Sequence, residues 1–302
     1  MKIACLGGGP AGLYFAISMK LRDPSHDVTV IERNRADDTF GWGVVLSDET
    51  LSNLHANDPE SADSIKDYFA YWDDIALVHQ GQRLVSSGHG FCGIGRKRLL
   101  LLLQARAAEL GVTLQFETDI EDIDALCAAH DLVVAADGVN SRVRAHFDAA
   151  FKPEIDRRAC KFVWLGTQQK FDDAFTFIFE DTQHGWVWAH AYQFDGDTAT
   201  FIVECSEDTY NAWGFDSMSQ DENIAACEAI FADHLGGHSL MSNARHLRGS
   251  AWLNFNRVLC ENWYHKNVVL LGDSSATAHF SIGSGTKLAL ESAIALADLL
   301  HS

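Results

Sequence analysis

The stretch "KIACLGGGPAGLYFAISMKLRDPSHDVTVIER" (residues 2–33) decides the fold. An apolar run, "KIACL", stops at three glycines, helix formers follow, and "DVTVIE" reads as a second strand. Strand, glycine turn, helix and strand make a βαβ unit, the start of a parallel sheet with a right-handed crossover. Gly7, Gly9 and Gly12 stand in G-x-G-x-x-G spacing, with Pro10 and Ala11 between the last two. Such glycines let backbone approach a pyrophosphate at the helix N-terminus, while Glu32, closing the next strand with Arg33 beside it, is suited to ribose hydroxyls. This motif alone leaves NAD and FAD equally open.

The rest of the chain extends that reading. "RKRLLLLLQARAAELG" (96–111) predicts a helix closed by Gly111, and "VTLQFET" (112–118), "DLVVAAD" (131–137) and "NVVLLGD" (267–273) predict further strands. Between about 160 and 260 the texture changes: "KFVWLGTQ", "AFTFIFED", "GWVWAHAYQF" and "TATFIVEC" are aromatic and β-branched with short polar breaks, as in an antiparallel sheet. The expectation is an α/β protein with a Rossmann-like nucleotide-binding domain (residues 1–75, 90–150 and 262–302) and an inserted, mostly antiparallel domain (76–89 and 151–261).

Composition narrows the partners. A formal net charge of −19 disfavours nucleic acid and anionic membrane. Seven scattered cysteines with no C-x-x-C pair predict reduced, mostly buried thiols in a cytoplasmic protein. Nothing resembles a signal peptide, and no apolar run is long enough to span a bilayer. "GSGTK" (283–287) lacks phosphate-loop spacing, and the glycines of "HLGGH" (234–238) break the helix that would align its two histidines, so no metal site is expected.

Two later motifs separate NAD from FAD. "VVAADGVNSRVR" (133–144) ends a strand in Asp137-Gly138 before a helix carrying Arg144, and "LLGDSSATAHFSIGSGTKLALESA" (270–293) ends one in Gly272-Asp273 before a glycine-rich loop and a helix start. Together with the glycine fingerprint, they resemble the signature of flavin-dependent aromatic hydroxylases of the para-hydroxybenzoate hydroxylase-like class. "GWGVVLSDETLSNL", "GHGFCGIGRKRLL" and "HFSIGSGTKLALE" are more closely similar to salicylyl-CoA 5-hydroxylases and 2-aminobenzoyl-CoA monooxygenases.

The resemblance implies FAD as cofactor. It puts Asp273 on the ribitol, Gly283, Gly285 and Thr286 at a helix N-terminus facing pyrophosphate and flavin, and Arg96 on phosphate or ribitol. Gly41, Gly43 and Val44 of "FGWGVV" would pass near the flavin, and Asp137, Gly138 and Arg144 would serve FAD and a transient NAD(P)H. The implied reaction is hydroxylation of an aroyl-CoA ring by O2 through a flavin C4a-hydroperoxide. Indole-type or 2-aminobenzoyl-CoA substrates and a non-hydroxylating FAD oxidoreductase are the alternatives. His79, His190 and His279 are the candidate catalytic residues, and Trp164, Trp186, Trp188 and Tyr192 a candidate wall for a flat substrate. Arg157, Arg158 and Lys161, or Arg245, Arg248 and Arg257, are candidates for the CoA phosphates. The sequence departs from the family in reading Gly-Asp-Ser-Ser-Ala-Thr (272–277) where Gly-Asp-Ala-Ala-His-Thr is common. Family members also continue beyond the position of Ser302, some into a fused reductase, so a missing C-terminal region is expected.

Overall fold

The computed structural model describes residues 1–39, 41–171, 174–243 and 251–302. Its first sheet runs in the order Tyr264–His265, Val268–Leu270, Leu132–Ala135, Lys2–Leu6, Asp27–Ile31, Thr113–Gln115. All neighbours are parallel except the first pair. Its strands are short and apolar because both faces are covered.

The helix Pro10–Arg22 has buried residues all round, from Pro10 to Lys20. It lies under the sheet and packs against the helices Arg96–Glu109 and Gly285–His301. Leu13, Tyr14, Phe15, Ile17 and Met19 are fully buried there, each stabilising by roughly 1.5–3 kcal/mol. Val133, Ala135, Val143, Phe151 and Val258 belong to the core on the opposite face.

The second sheet is larger and mostly antiparallel. Its order is Leu240–Met241, Pro153–Thr167, Ala199–Cys205, Gly185–Gln193, Ala174–Thr182, Asp74–His79, Gln82–Ser86, with Leu253–Cys260 also paired to Pro153–Thr167. One pair, Ala174–Thr182 with Asp74–His79, is parallel. Alternation sorts its side chains. Val163, Leu165, Val187, Ala189, Phe201 and Val203 join the core that holds residues of the helices Glu207–Trp213 and Gln220–Ile230. Phe162, Trp164, Trp188, His190, Ile202 and Glu204 therefore share the other face.

A third sheet joins the two. Gly43–Ser47, Phe91–Gly95 and Ala70–Trp72 form three antiparallel strands. The sequence reading made "FGWGVV" a loop; here its second half is a strand, because Val44, Val45 and Leu46 are apolar residues that pair with Phe91–Gly95 and bury. Tyr192 Oη donates to Gly43 O at 2.8 Å and Gly43 N donates to Thr200 Oγ1 at 3.0 Å, tying this strand to the large sheet.

Candidate functional site

The glycine turn after Lys2–Leu6 is a packed device. Gly7 has φ +106°, and a Cβ there would lie 2.1 Å from Ala136 O; one on Gly12 would lie 2.2 Å from Gly7 O. A Cβ on Gly9, by contrast, would meet nothing within 4 Å. The turn is closed toward the protein and open outward. Gly9 caps the helix Pro10–Arg22 with no side-chain hydrogen bond, which leaves the first-turn N–H groups to something outside the helix. Glu32 accepts from Gly8 N and Asn34 N, each at 2.8 Å, so it braces the turn through both oxygens while each keeps a lone pair for a hydroxyl. Arg33 follows on exposed chain.

The Gly-Asp turn faces the same opening. A Cβ on Gly272 would lie 3.0 Å from Ala11 Cβ and 3.8 Å from Ala289 Cβ, so Gly272 wedges between the N-terminal parts of the helices Pro10–Arg22 and Gly285–His301. Asp273 is solvent-accessible in a cleft crowded by protein; that crowding raises its pKa, and the charge of Arg96 opposes the rise. Burial lowers the Arg96 pKa, against the attraction of Asp273 and Tyr192. Gly285–His301 also starts without a side-chain cap, and Gly283, Gly285 and Thr286 stand at its entrance.

Asp137 and Arg144 are used differently from each other. Asp137 Oδ2 accepts from Arg142 N at 2.8 Å and Val143 N at 3.3 Å, capping the short helix Arg142–His146. A Cβ on Gly138 would meet nothing within 4 Å. Arg144, 4% exposed, donates to Ser274 O and Val139 O at 2.9 and 2.5 Å. It is a strut between the two acid-bearing loops. The departures at Ser274 and Ser275 are structural: Ser274 Oγ donates to Ala135 O and Leu271 O, and Ser275 Oγ to Gly272 O at 2.8 Å.

These residues fit a dinucleotide. Two uncapped helix N-termini, one carboxylate and one guanidinium converge on a cleft that glycines leave open. Arg96 Nε and Asp137 Oδ1 are buried polar atoms with no partner among the described residues. Gly41 and Gly43, which the sequence reading put beside the cofactor, are tightly packed on their Cβ sides, where an added Cβ would meet Trp164 at 3.3 Å and Phe194 at 2.6 Å. Val44 is buried in the core beneath the cleft.

The loop leaving this cleft crosses to the large sheet. Phe280 packs on Phe162 (centroids 4.5 Å), Trp164 (6.5 Å) and His190 (5.7 Å). At the centre of that face is Glu204, 6% exposed, which sequence reasoning missed. It accepts from Trp188 Nε1 at 2.9 Å, sits 3.2 Å from His190 Nε2 and lies 3.7 Å from His279 Nε2. Register brings them together: Trp188 and Phe162 flank Glu204 directly across its two neighbouring strands, and Phe177 stands opposite His190.

His190 and His279 thus share one carboxylate, and His79 does not join them. His79 is exposed at the far edge of the sheet, its ring 5.3 Å from that of Trp186, itself 43% exposed. Of the predicted aromatic wall, Trp164 and Trp188 lie at the Glu204 face. Trp186 points into solvent, and Tyr192 stacks on Trp72 at 6.0 Å on the side of the third sheet. Burial lowers the His279 pKa against the pull of Glu204, with His190 and Arg158 lowering it further.

A bulge lies at the rim of this face. Pairing of Pro153–Thr167 with Leu253–Cys260 slips between Arg157 and Lys161, and the Asn254 amide fills the gap. Its Oδ1 accepts from Arg157 at 2.6 Å and Lys161 at 2.8 Å, and its Nδ2 donates to the carbonyls of Arg158, Ala159 and Cys160. Arg257 is paired with Glu154, while Arg245 and Arg248 lie outside the described residues.

The seven cysteines are unpaired, and burial pushes the thiols of Cys5, Cys92 and Cys205 up to about 12. Among the described residues no helix is long and apolar enough to cross a membrane, and no group of three or more His, Cys, Asp or Glu is placed to hold a metal ion.

Comparison with known proteins agrees with the cleft. The chain is 42% identical over 308 residues to a salicyloyl-CoA 5-hydroxylase from Streptomyces sp, covering 99% of this chain and 58% of that protein. It is 36% identical over 299 residues to protodeoxyviolaceinate monooxygenase of Chromobacterium violaceum, covering 96% of this chain and 77% of that one. A 3-hydroxy-4-methyl-anthranilyl-[aryl-carrier protein] 5-monooxygenase of Streptosporangium sibiricum is 34% identical over 300 residues, with 99% and 79% covered. The chain therefore spans little more than half the length of the first relative. In fold it matches the tetrameric form of 2-methyl-3-hydroxypyridine-5-carboxylic acid oxygenase with a TM-score of 0.81 at 18% identity, covering 99% of this chain and 82% of the other. Residues 1–302 match the model of the family described as "FAD binding domain", and the chain belongs to that family.

Proposed function

We propose that this chain is the FAD-binding, ring-hydroxylating part of a flavin-dependent aromatic monooxygenase. The observation that carries the reading is the continuity of residues 273–286. The two ends of that segment supply Asp273 and the entrance of the helix Gly285–His301 to the nucleotide cleft, and its middle packs His279 and Phe280 on the aromatic sheet face. A cofactor in the cleft and a flat substrate on the sheet would meet across it.

In this reading the first turn of Pro10–Arg22 holds the pyrophosphate, Glu32 the adenosine ribose, and Asp273 with Arg96 the ribitol. Residues 1–75, 90–150 and 262–302 serve the cofactor, and 76–89 and 151–261 the substrate. FAD, when bound, supplies redox and oxygen-activating chemistry, with NAD(P)H as electron donor. The chain's own residues bind, orient and exclude water, which Phe162, Trp164 and Phe280 do by lining the meeting point with apolar rings.

The substrate we propose is an aromatic acyl thioester, with an aroyl-CoA such as salicyloyl-CoA first in line. Two of the relatives' names place an aryl group on a CoA or an aryl-carrier protein. Arg157 and Lys161, which both donate to the neutral Asn254, give a phosphate-bearing tail a cationic rim in a chain of net charge −19. The test is to titrate the FAD-loaded protein with salicyloyl-CoA while following flavin absorbance, then to measure O2 uptake coupled to NAD(P)H oxidation. A saturable shift with hydroxylated product supports the assignment. No shift from bound flavin removes this substrate in favour of 2-aminobenzoyl-CoA or an indole, and NAD(P)H oxidation without oxygen entering product favours a non-hydroxylating oxidoreductase.

A further inference from the structure

The second histidine of the sheet face carries an unused atom. His190 is 3% exposed, and its Nδ1 is buried with no hydrogen-bond partner among the described residues, while its Nε2 lies 3.2 Å from Glu204 Oε2. A buried imidazole beside a carboxylate keeps its proton on the nitrogen that faces the carboxylate, so the other nitrogen presents a lone pair. Glu204 is fixed for that task. Trp188 Nε1 donates to the same oxygen at 2.9 Å, and the other oxygen faces His279 Nε2 at 3.7 Å. His279 is oriented in turn, since its Nδ1 accepts from Ser281 N at 3.4 Å and meets Ser281 Oγ at 2.8 Å. Both histidines therefore turn Nε2–H toward Glu204.

The rings of Phe177 and Phe280 stand edge-on to His190 at 5.0 and 5.7 Å, and Nδ1 is buried from solvent. Phe280 belongs to the short turn Phe280–Ile282 of the loop that reaches the nucleotide cleft, so one of the rings against His190 sits on the segment that leads to the cofactor side. A purely structural histidine at this position would be expected to have Nδ1 paired, because a buried acceptor left without a donor loses its hydration with nothing in return.

We infer that His190 is the residue that takes up the proton of the substrate's ring hydroxyl or amino group, through Nδ1, and that Glu204 is the positioning residue that fixes its tautomer. This inference rests on the aromatic-substrate reading above and narrows it to rings that carry a proton-donating substituent. The bond broken is the substrate's O–H or N–H, the bond formed is N–H at His190 Nδ1, and the electron pair stays on the substituent, making the ring more electron-rich. The resulting imidazolium is held by Glu204, as in other carboxylate–histidine pairs. The other charged or titratable groups facing the pair are His279 from the loop and Cys160 and Arg158 from the bulge.

The test is histidine-selective 15N NMR of the FAD-loaded protein, wild type beside Glu204→Gln, whose amide oxygen still accepts from Trp188. The expected result is a neutral His190 in the Nε2–H form in wild type, and a lower titration midpoint in Glu204→Gln, where the neighbouring negative charge is gone, with flavin retained. An Nδ1–H form, or an unmoved midpoint, overturns the inference. The pH profile of kcat/KM with salicyloyl-CoA is the second readout: its acidic limb moves with the NMR midpoint in Glu204→Gln, and a limb that stays in place overturns the proton-accepting role. Absence of any hydroxylation by the wild-type enzyme instead counts against the proposed substrate, and the tautomer and midpoint still decide the role of Glu204.

Discussion

The nucleotide cleft and the aromatic sheet face are built by opposite means. The cleft is made of backbone: glycine turns, two uncapped helix ends, and a few acids with one arginine, Arg96, beside the opening. The sheet face is made of side chains, and its one central charge, Glu204, is held by a tryptophan and two histidines that come from a neighbouring strand and a distant loop. A backbone-built site needs particular residues at fixed spacing, because only glycine fits where Cβ would strike a carbonyl. A side-chain-built site needs only residues that the register places side by side.

That difference can be broken or sharpened by substitution. Gly12→Ala should have the largest effect: its Cβ would overlap Gly7 O, so about 3 kcal/mol or more of stability is expected to go together with flavin binding, as thermal melts and flavin content would register. Survival of both would mean that the turn is looser than its packing indicates.

Asp58→Asn separates scaffold from site. Asp58 is 2% exposed and bidentate to Arg106 at 3.0 Å; burial would raise its pKa, but the hydrogen bonds of Arg106 and Ser61 and the Arg106 charge bring it below the ordinary value. A carboxylate lowered in the folded state adds stability above its unfolded pKa of 3.8 and loses it as pH falls through the folded value. About 3 kcal/mol should be lost at pH 7, with wild-type and variant stabilities converging in acid. Flavin content per folded molecule should not change.

Asp273→Ala should weaken flavin binding ten- to a hundredfold, about 1.5–3 kcal/mol for a hydrogen bond to a charged group, with little change in melting temperature. Full retention of flavin would remove Asp273 from the cofactor site. Trp188→Phe should do the reverse, keeping flavin and losing about 1 kcal/mol of stability with the hydrogen bond to Glu204.

His279→Gln should give the smallest effect, visible only through pH. Burial holds the His279 pKa below the ordinary 6.5, so the unfolded chain takes up a proton before the folded one does. Stability associated with neutral His279 is complete above that value and falls as pH drops through it. The variant should therefore gain on the wild type below about pH 6 in urea titrations and match its slope above pH 7; parallel curves throughout would place His279 in open solvent.

The sequence by itself determined the βαβ start, the parallel sheet, the aromatic antiparallel insertion and the cluster of glycines and acids at the cleft. Each is a local pattern: a period of two or 3.6, or a glycine where a side chain would collide. It also singled out His190 and His279, but gave no means of telling that His79 lies apart from them or of finding Glu204. "TATFIVEC" reads as a plain buried strand, and nothing in it marks its glutamate as the partner of residues 14 and 75 positions away. Only the tertiary structure decided that, because cross-strand register and the return of residues 273–286 over the sheet set which side chains meet. The same holds for Arg144, whose sequence context suggested a ligand contact and whose packing makes it a strut between two loops. Local chemistry fixes what a segment becomes, whereas the company a buried polar group keeps depends on contacts between segments far apart in the chain.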